Sequence, residues 1–153
     1  MAASKKFVKQ KENPKERYIG RTENPEKFYH QNPSWNFHTC DKNNWSFSKD
    51  TADSCFWNEI LPHLQGWETQ TWSSILVGAK KQNHSIDITS LNKTAKQILE
   101  ERYIEYDSIY SLRLTGTHRL YGFIVGPVFN ILWFDKDHGD NDTCVCKSKK
   151  PHT

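Results

Sequence analysis

From Tyr110 to His138 the chain runs through three hydrophobic stretches parted by two turn signals, Thr115-Gly116 and Gly126-Pro127. Glycine takes up positive φ and proline fixes a negative one, so these dipeptides close hairpins and do not extend helices. Residues 108 to about 147 are therefore predicted to form a small antiparallel meander, with Thr143 to Lys147 adding a last short strand. An isolated sheet cannot bury its apolar face, so the preceding residues must cover it.

They have the periodicity to do so. Asp53 or Ser54 is suited to cap a helix carrying Phe56, Trp57, Ile60, Leu61 and Leu64, with a kink or break at Pro62. Thr71 is suited to cap a second helix, with Trp72, Ile75, Leu76 and Ala79 at helical spacing. His84 to Thr89 reads as a short strand or extended link. Thr89 or Ser90 then caps a third helix, whose buried stripe is Leu91, Ala95, Ile98 and Leu99. Helices first and a meander after them predict an α+β domain: a helical hairpin and a third helix packed on one face of the antiparallel sheet.

A chain of 153 residues makes one domain with a real core, and its formal charge of +3 is too small to identify a partner. The charge is unevenly spread. Residues 1–26 hold Lys5, Lys6, Lys9, Lys11, Lys15, Arg17 and Arg21 with few apolar neighbours, and are predicted to be a flexible basic arm: a solvated tail or an RNA-contacting one. Residues 27–153 form the domain. Its aromatic-rich start holds Tyr29, Trp35, Phe37, Trp45 and Phe47, with Trp35/Phe37 and Trp45/Phe47 alternating as short strands would. With only Lys42 and Lys49 interleaved, packing onto the core is favoured over base stacking.

No hydrophobic run approaches a membrane span and no signal-peptide core is recognisable, so a soluble, cytoplasmic protein is expected. The four cysteines then read as free thiols. Cys144-x-Cys146 with His138 and His152 is the alternative, a zinc site. Its spacing is wrong and Cys40 and Cys55 supply no second knuckle, so neither metal nor cofactor is expected.

The hairpin loop decides which polar residues meet. A two-residue turn pairs Arg113 with His118; a three-residue loop pairs Arg113 with Arg119. Leu112 and Leu120 both need the core, which favours the second register and sets the arginines together on the open side. Two adjacent guanidiniums repel unless an anion lies between them. The plainer account is salt bridges to Asp135, Asp137 or Glu105.

The run Leu112-Arg-Leu-Thr-Gly-Thr-His118-Arg119-Leu120-Tyr121 resembles the strand pair of the RelE/ParE superfamily of bacterial toxins, closest to the YoeB-type mRNA interferases. The spacing from Arg119 to His138 is also similar. The resemblance covers the last third of the chain. It implies a RelE-like fold and a cytoplasmic endoribonuclease acting on ribosome-bound mRNA, with an antitoxin protein as partner. The ribose 2′-hydroxyl attacks the adjacent phosphate, leaving a cyclic phosphate and a free 5′-hydroxyl. Arg119 would stabilise charge in the transition state, Arg113 would clamp the phosphate, and His138 would protonate the leaving oxygen. Glu101 or Glu105 lies near the distance of the family's general base. RNA contacts would come from His118, Tyr121, Lys136, Lys147, Lys149 and Lys150. Here Gly139 follows His138, where the family has tyrosine, and the aromatic N-terminal half has no counterpart in those short toxins. The alternative function is a non-catalytic RNA- or protein-binding module on the same scaffold.

Overall fold

The computed structural model describes residues 18–19, 27–47, 56–139 and 143–146. Most of the predicted basic arm lies outside the described residues; within it, Tyr18–Ile19 (β1) pair in parallel with Ile104–Glu105 (β4). The remaining strands are β2 (Ser34–Asn36), β3 (His84–Asp87), β5 (Ser108–Arg113), β6 (Arg119–Val125) and β7 (Val128–Asp135). They form one five-stranded sheet in the order β2-β7-β6-β5-β3.

The domain is α+β, with a meander at β5-β6-β7 closed by the two turns read from the sequence. Gly126 takes φ of 60°, as the first position of a primed two-residue turn requires. The sheet is mixed, however, where an antiparallel one was expected. β2 lies parallel to β7, pairing Trp35 with Phe129, so the aromatic stretch supplies an edge strand. Residues 143–146 make only an isolated bridge, Leu91 to Cys146, where a short strand was expected.

Helical structure covers both faces, where coverage of one was expected. On the first face a π-helical turn, Phe56–Ile60, runs into α1 (Leu61–Glu68), followed by the π-helical segment Ser74–Gly78. Leu64, Trp67, Trp72 and Ile75 pack there on Leu112, Leu120, Ile124 and Phe129. Pro62 sits in the first turn of α1, where a missing N–H leaves no internal bond unmade. Thr71 Oγ1 caps its turn by accepting from Ser74 N at 3.2 Å, as predicted.

On the second face α2 (Lys93–Glu101) lays Ala95, Ile98 and Leu99 on Ile109, Tyr121, Phe123 and Trp133. Its cap is not Thr89 or Ser90. Asp87 caps a short 3-10 turn over Ile88–Ser90, and Asn92 Oδ1 then accepts from Ala95 N at 2.8 Å to start α2. Trp45 and Phe47 form no strand. Trp45 packs on Trp133 and Phe47 stacks on Phe134, adjacent β7 residues in the two opposite cores. Among the described residues no helix is long and apolar enough to cross a membrane.

Candidate functional site

Register brings the polar residues together at one end of the sheet. Leu112 pairs with Leu120 in the first core, so the next pair, Arg113 with Arg119, projects from the other face. Arg119 in turn pairs with Asp135 on β7. The neighbouring row on that face runs His84, Ser111, Tyr121 and Trp133 across β3, β5, β6 and β7. After β7 the chain folds back over the hairpin loop, where His138 N donates to Thr117 O at 3.0 Å.

This face is covered by α2 and by residues 143–146, so the site is not the open surface expected. Arg113 is exposed, whereas Arg119 and His138 are half-buried. Arg119 is held by its own loop: Nη1 donates to Thr115 O at 2.8 Å, Gly116 O at 2.9 Å and His118 O at 3.2 Å. One edge of the guanidinium is thereby fixed. Burial and the charge of Arg113 both lower the Arg119 pKa, the mark of a cation with too little compensation.

Asp135 offers only part of that compensation. It is fully buried, and its carboxylate accepts from Asp137 N at 2.9 Å and Val145 N at 2.7 Å. Among the described residues neither arginine has a carboxylate within ion-pairing distance. Burial raises the Asp135 pKa against those two backbone bonds and the attraction of Arg119.

Tyr121 carries a polar chain beneath the arginines. Its hydroxyl lies 3.5 Å from His138 Nδ1 and 3.2 Å from Cys146 Sγ. Burial, then Cys146, raises its pKa well above the usual tyrosine value, so the phenol keeps its proton. Burial lowers the His138 pKa, and Arg119, His84 and Arg113 lower it further. Two guanidiniums and a second imidazole acting on His138 put all four groups in a single electrostatic neighbourhood.

No protein family, curated protein or solved structure matches this chain.

The structure brings Arg113, Arg119, His138 and Tyr121 together. It does not bring the predicted carboxylates to them. Glu101 ends α2, roughly 12 Å along the helix from its N-terminus, which is the end nearest the site. Glu105 precedes β5, while Arg113 ends it, a strand length of roughly 17 Å away. His118 turns to the opposite face, where Nδ1 lies 2.6 Å from Glu59 Oε2 and its ring meets Phe134 edge-on. Tyr121 is fully buried, so it supports the site from beneath and presents no stacking surface to RNA. Lys136 is exposed just past β7, and Lys147, Lys149 and Lys150 lie outside the described residues.

His84 is the site residue that the sequence reading missed; Asp135 was weighed there only as an ion-pair partner and Cys146 only as a zinc ligand. Three elements separate His84 from β5, and only the β3–β5 register sets it beside the arginine row. Of the four residues weighed as zinc ligands, His152 lies outside the described residues, and among those described no group of three metal-ligating side chains converges.

The depressed His138 pKa gives a stability test. The unfolded chain takes up this proton more readily than the folded one, so stability falls as pH drops through the ordinary histidine value, about 6.5. Asp135, with a raised pKa, contributes with the opposite sign. The Tm of His138→Gln is therefore expected to fall less than that of the wild type between pH 7.5 and pH 5.5 in calorimetric scans. Parallel curves would remove His138 as the cause.

Proposed function

We propose that this chain is a RelE/YoeB-like endoribonuclease that binds an RNA phosphodiester between Arg113 and Arg119 and cleaves it by 2′-hydroxyl attack. The observation that carries this reading is the pairing of two guanidiniums, in register, beside a half-buried histidine whose charge burial, and then the arginines, disfavour. A bound phosphate relieves the repulsion, accepts from both forks and restores the proton to His138. Arg119, its inner edge fixed by three loop carbonyls, is preorganised for charge that develops on the phosphorane. His138 is the proton donor to the 5′-oxygen.

The helical hairpin, the third helix and the terminal meander support a RelE-like scaffold, here enlarged by β2 and the aromatic stretch. The natural target is then ribosome-bound mRNA in the cytoplasm. An antitoxin that covers the cationic end of the sheet would be the controlling partner. A second reading, RNA binding without cleavage, is favoured by one observation: Glu101 and Glu105 both stand away from the arginines, which leaves the family's carboxylate base unfilled.

Inducible expression separates the two. Wild type is expected to arrest growth and generate new RNA 5′-hydroxyl ends, and the Arg113→Ala/Arg119→Ala double variant to do neither at equal protein level. Normal growth with intact RNA, alongside RNA binding that weakens steeply with salt, would establish the binding module.

A further inference from the structure

We propose that His84 is the general base of this site, paired across the two arginines with His138 as the general acid. The inference rests on the endoribonuclease reading above and fills the position that Glu101 and Glu105 leave empty.

The sheet order sets the geometry. β3, β5 and β6 follow one another, so His84 approaches from the β3 edge, while His138, folded back from the segment after β7, is held over the hairpin by Thr117 O and Tyr121, with Arg113 and Arg119 in the row beside them. His84 pairs with Ser111 and Ser111 with Tyr121, which puts the His84 side chain on the same sheet face as the arginines. Neighbouring strands are about 4.8 Å apart, so both imidazoles border the arginine pair at which a phosphate would bind. In-line displacement asks for two proton carriers, one for the attacking and one for the leaving oxygen, because these occupy opposite sides of phosphorus.

Tautomers fit the two roles. His84 Nδ1 lies 3.2 Å from Ser85 O. A carbonyl oxygen only accepts, so Nδ1 carries the proton, and the tautomer that acts as base bears its lone pair on Nε2. His138 is engaged at Nδ1 by the Tyr121 hydroxyl, which leaves its Nε2–H outward. His84 Nε2 removes the 2′-hydroxyl proton as O2′ bonds to phosphorus. The bond from phosphorus to O5′ breaks, and His138 Nε2 passes its proton to that oxygen. The products are a 2′,3′-cyclic phosphate and a 5′-hydroxyl, with His84 charged and His138 neutral until solvent exchanges their protons. No water or metal is consumed.

The groups facing His138 are Arg113 on β5, Arg119 and Tyr121 on β6 and His84 on β3; Asp135 on β7 and Cys146 act on Arg119 and Tyr121 behind them. Burial and the neighbouring cations make the His138 imidazolium a stronger acid than a free histidine. The alkaline limb of kcat/KM is therefore expected below the ordinary histidine value.

A substitution in the leaving group tests the assignment. The RNA site that wild type cuts most is prepared once with oxygen and once with sulfur bridging phosphorus to the 5′-carbon, free and on ribosomes. Thiolate departs without a proton donor, so sulfur rescues loss of the acid but not of the base. On the oxygen substrate, His84→Ala and His138→Ala are each expected to lose about 10²–10⁴-fold in rate. With sulfur, His138→Ala recovers most of its loss and His84→Ala recovers none. The His84→Ala profile also loses its acid limb. An unimpaired His84→Ala, or one rescued by sulfur, overturns the pair while the ribonuclease stands. A wild type that cuts no RNA overturns the ribonuclease reading and the pair with it.

Discussion

Gly122→Ala is expected to lower the Tm by on the order of 10 °C, the largest stability loss of any single methyl group added to this domain. Gly122 lies on β6 at the irregular step between Tyr121 and Gly122, opposite Ile131. A Cβ there would meet Asn130 O at 2.3 Å and the Phe129 ring at 2.8 Å. The first contact is with backbone, which cannot rotate away. The second is with a ring wedged among Trp35 and Trp72, at centroid distances of 5.8 and 6.2 Å. Relief therefore requires the β6–β7 ladder to part or the aromatic cluster to repack. Overpacking in well-filled cores costs about 1–3 kcal/mol, and a blocked backbone puts this site at the upper end or beyond. Gly66→Ala is the control: its Cβ meets nothing within 4 Å, and an exposed helical glycine gains about 1 kcal/mol on becoming alanine. Thermal scans of the two variants should move in opposite directions. A Gly122→Ala Tm within 2 °C of wild type would mean that the sheet yields far more easily than its packing implies.

The same crowding explains which parts of the fold were legible. Turn chemistry at Thr115-Gly116 and Gly126-Pro127, with the demand that Leu112 and Leu120 share a core, led to the meander and its register. Burial on both faces also had a signal. Val128 to Phe134 is apolar at nearly every position, and a strand without alternation is one covered on both sides. Reading it as one strand of a one-sided sheet put Arg119 and His138 on an open face; α2 in fact packs on that face, and both residues are half-buried. Local competition defeated two further readings. Thr89 looked like a cap for the third helix, but its own N–H and hydroxyl both bond Asp87 Oδ1, at 3.1 and 3.0 Å, which delays the helix until Asn92. Trp45 and Phe47 alternate as a strand would. Yet Trp45 sits at φ of 45° in a turn held by Asp41, and the pair divides between the two cores. His84 was beyond local reading. Nothing near it in sequence announces a site; only the return of β3 to the sheet edge beside β5 does.

Arg119→Ala is expected to reduce RNA cleavage by at least about 10²–10³-fold while leaving the fold intact, the usual signature of a group preorganised for transition-state charge. The two halves of this expectation have separate causes. Catalytically, Arg119 is the inner member of the arginine pair and, among the described residues, the one whose guanidinium is clamped; Arg113, exposed and without such a clamp among the described residues, cannot replace a fixed donor. Structurally, the side chain is half-exposed, and its burial beside Arg113 disfavours its charge. Removing it gives up bonds to three loop carbonyls but also ends a like-charge repulsion, so the Tm should shift by only a few degrees. Arg119→Lys separates charge from shape. An ammonium keeps the positive charge but lacks the planar fork, so it cannot hold the loop carbonyls and present a second edge to phosphate. Its cleavage rate should stay much closer to that of the alanine variant than to wild type. Single-turnover rates and thermal scans on the same three preparations decide the matter. Wild-type cleavage by Arg119→Ala would remove Arg119 from the chemistry. A fall in Tm of more than about 10 °C would make the loss of activity a consequence of unfolding. A lysine variant as fast as wild type would mean that the site needs a charge here and not a clamp.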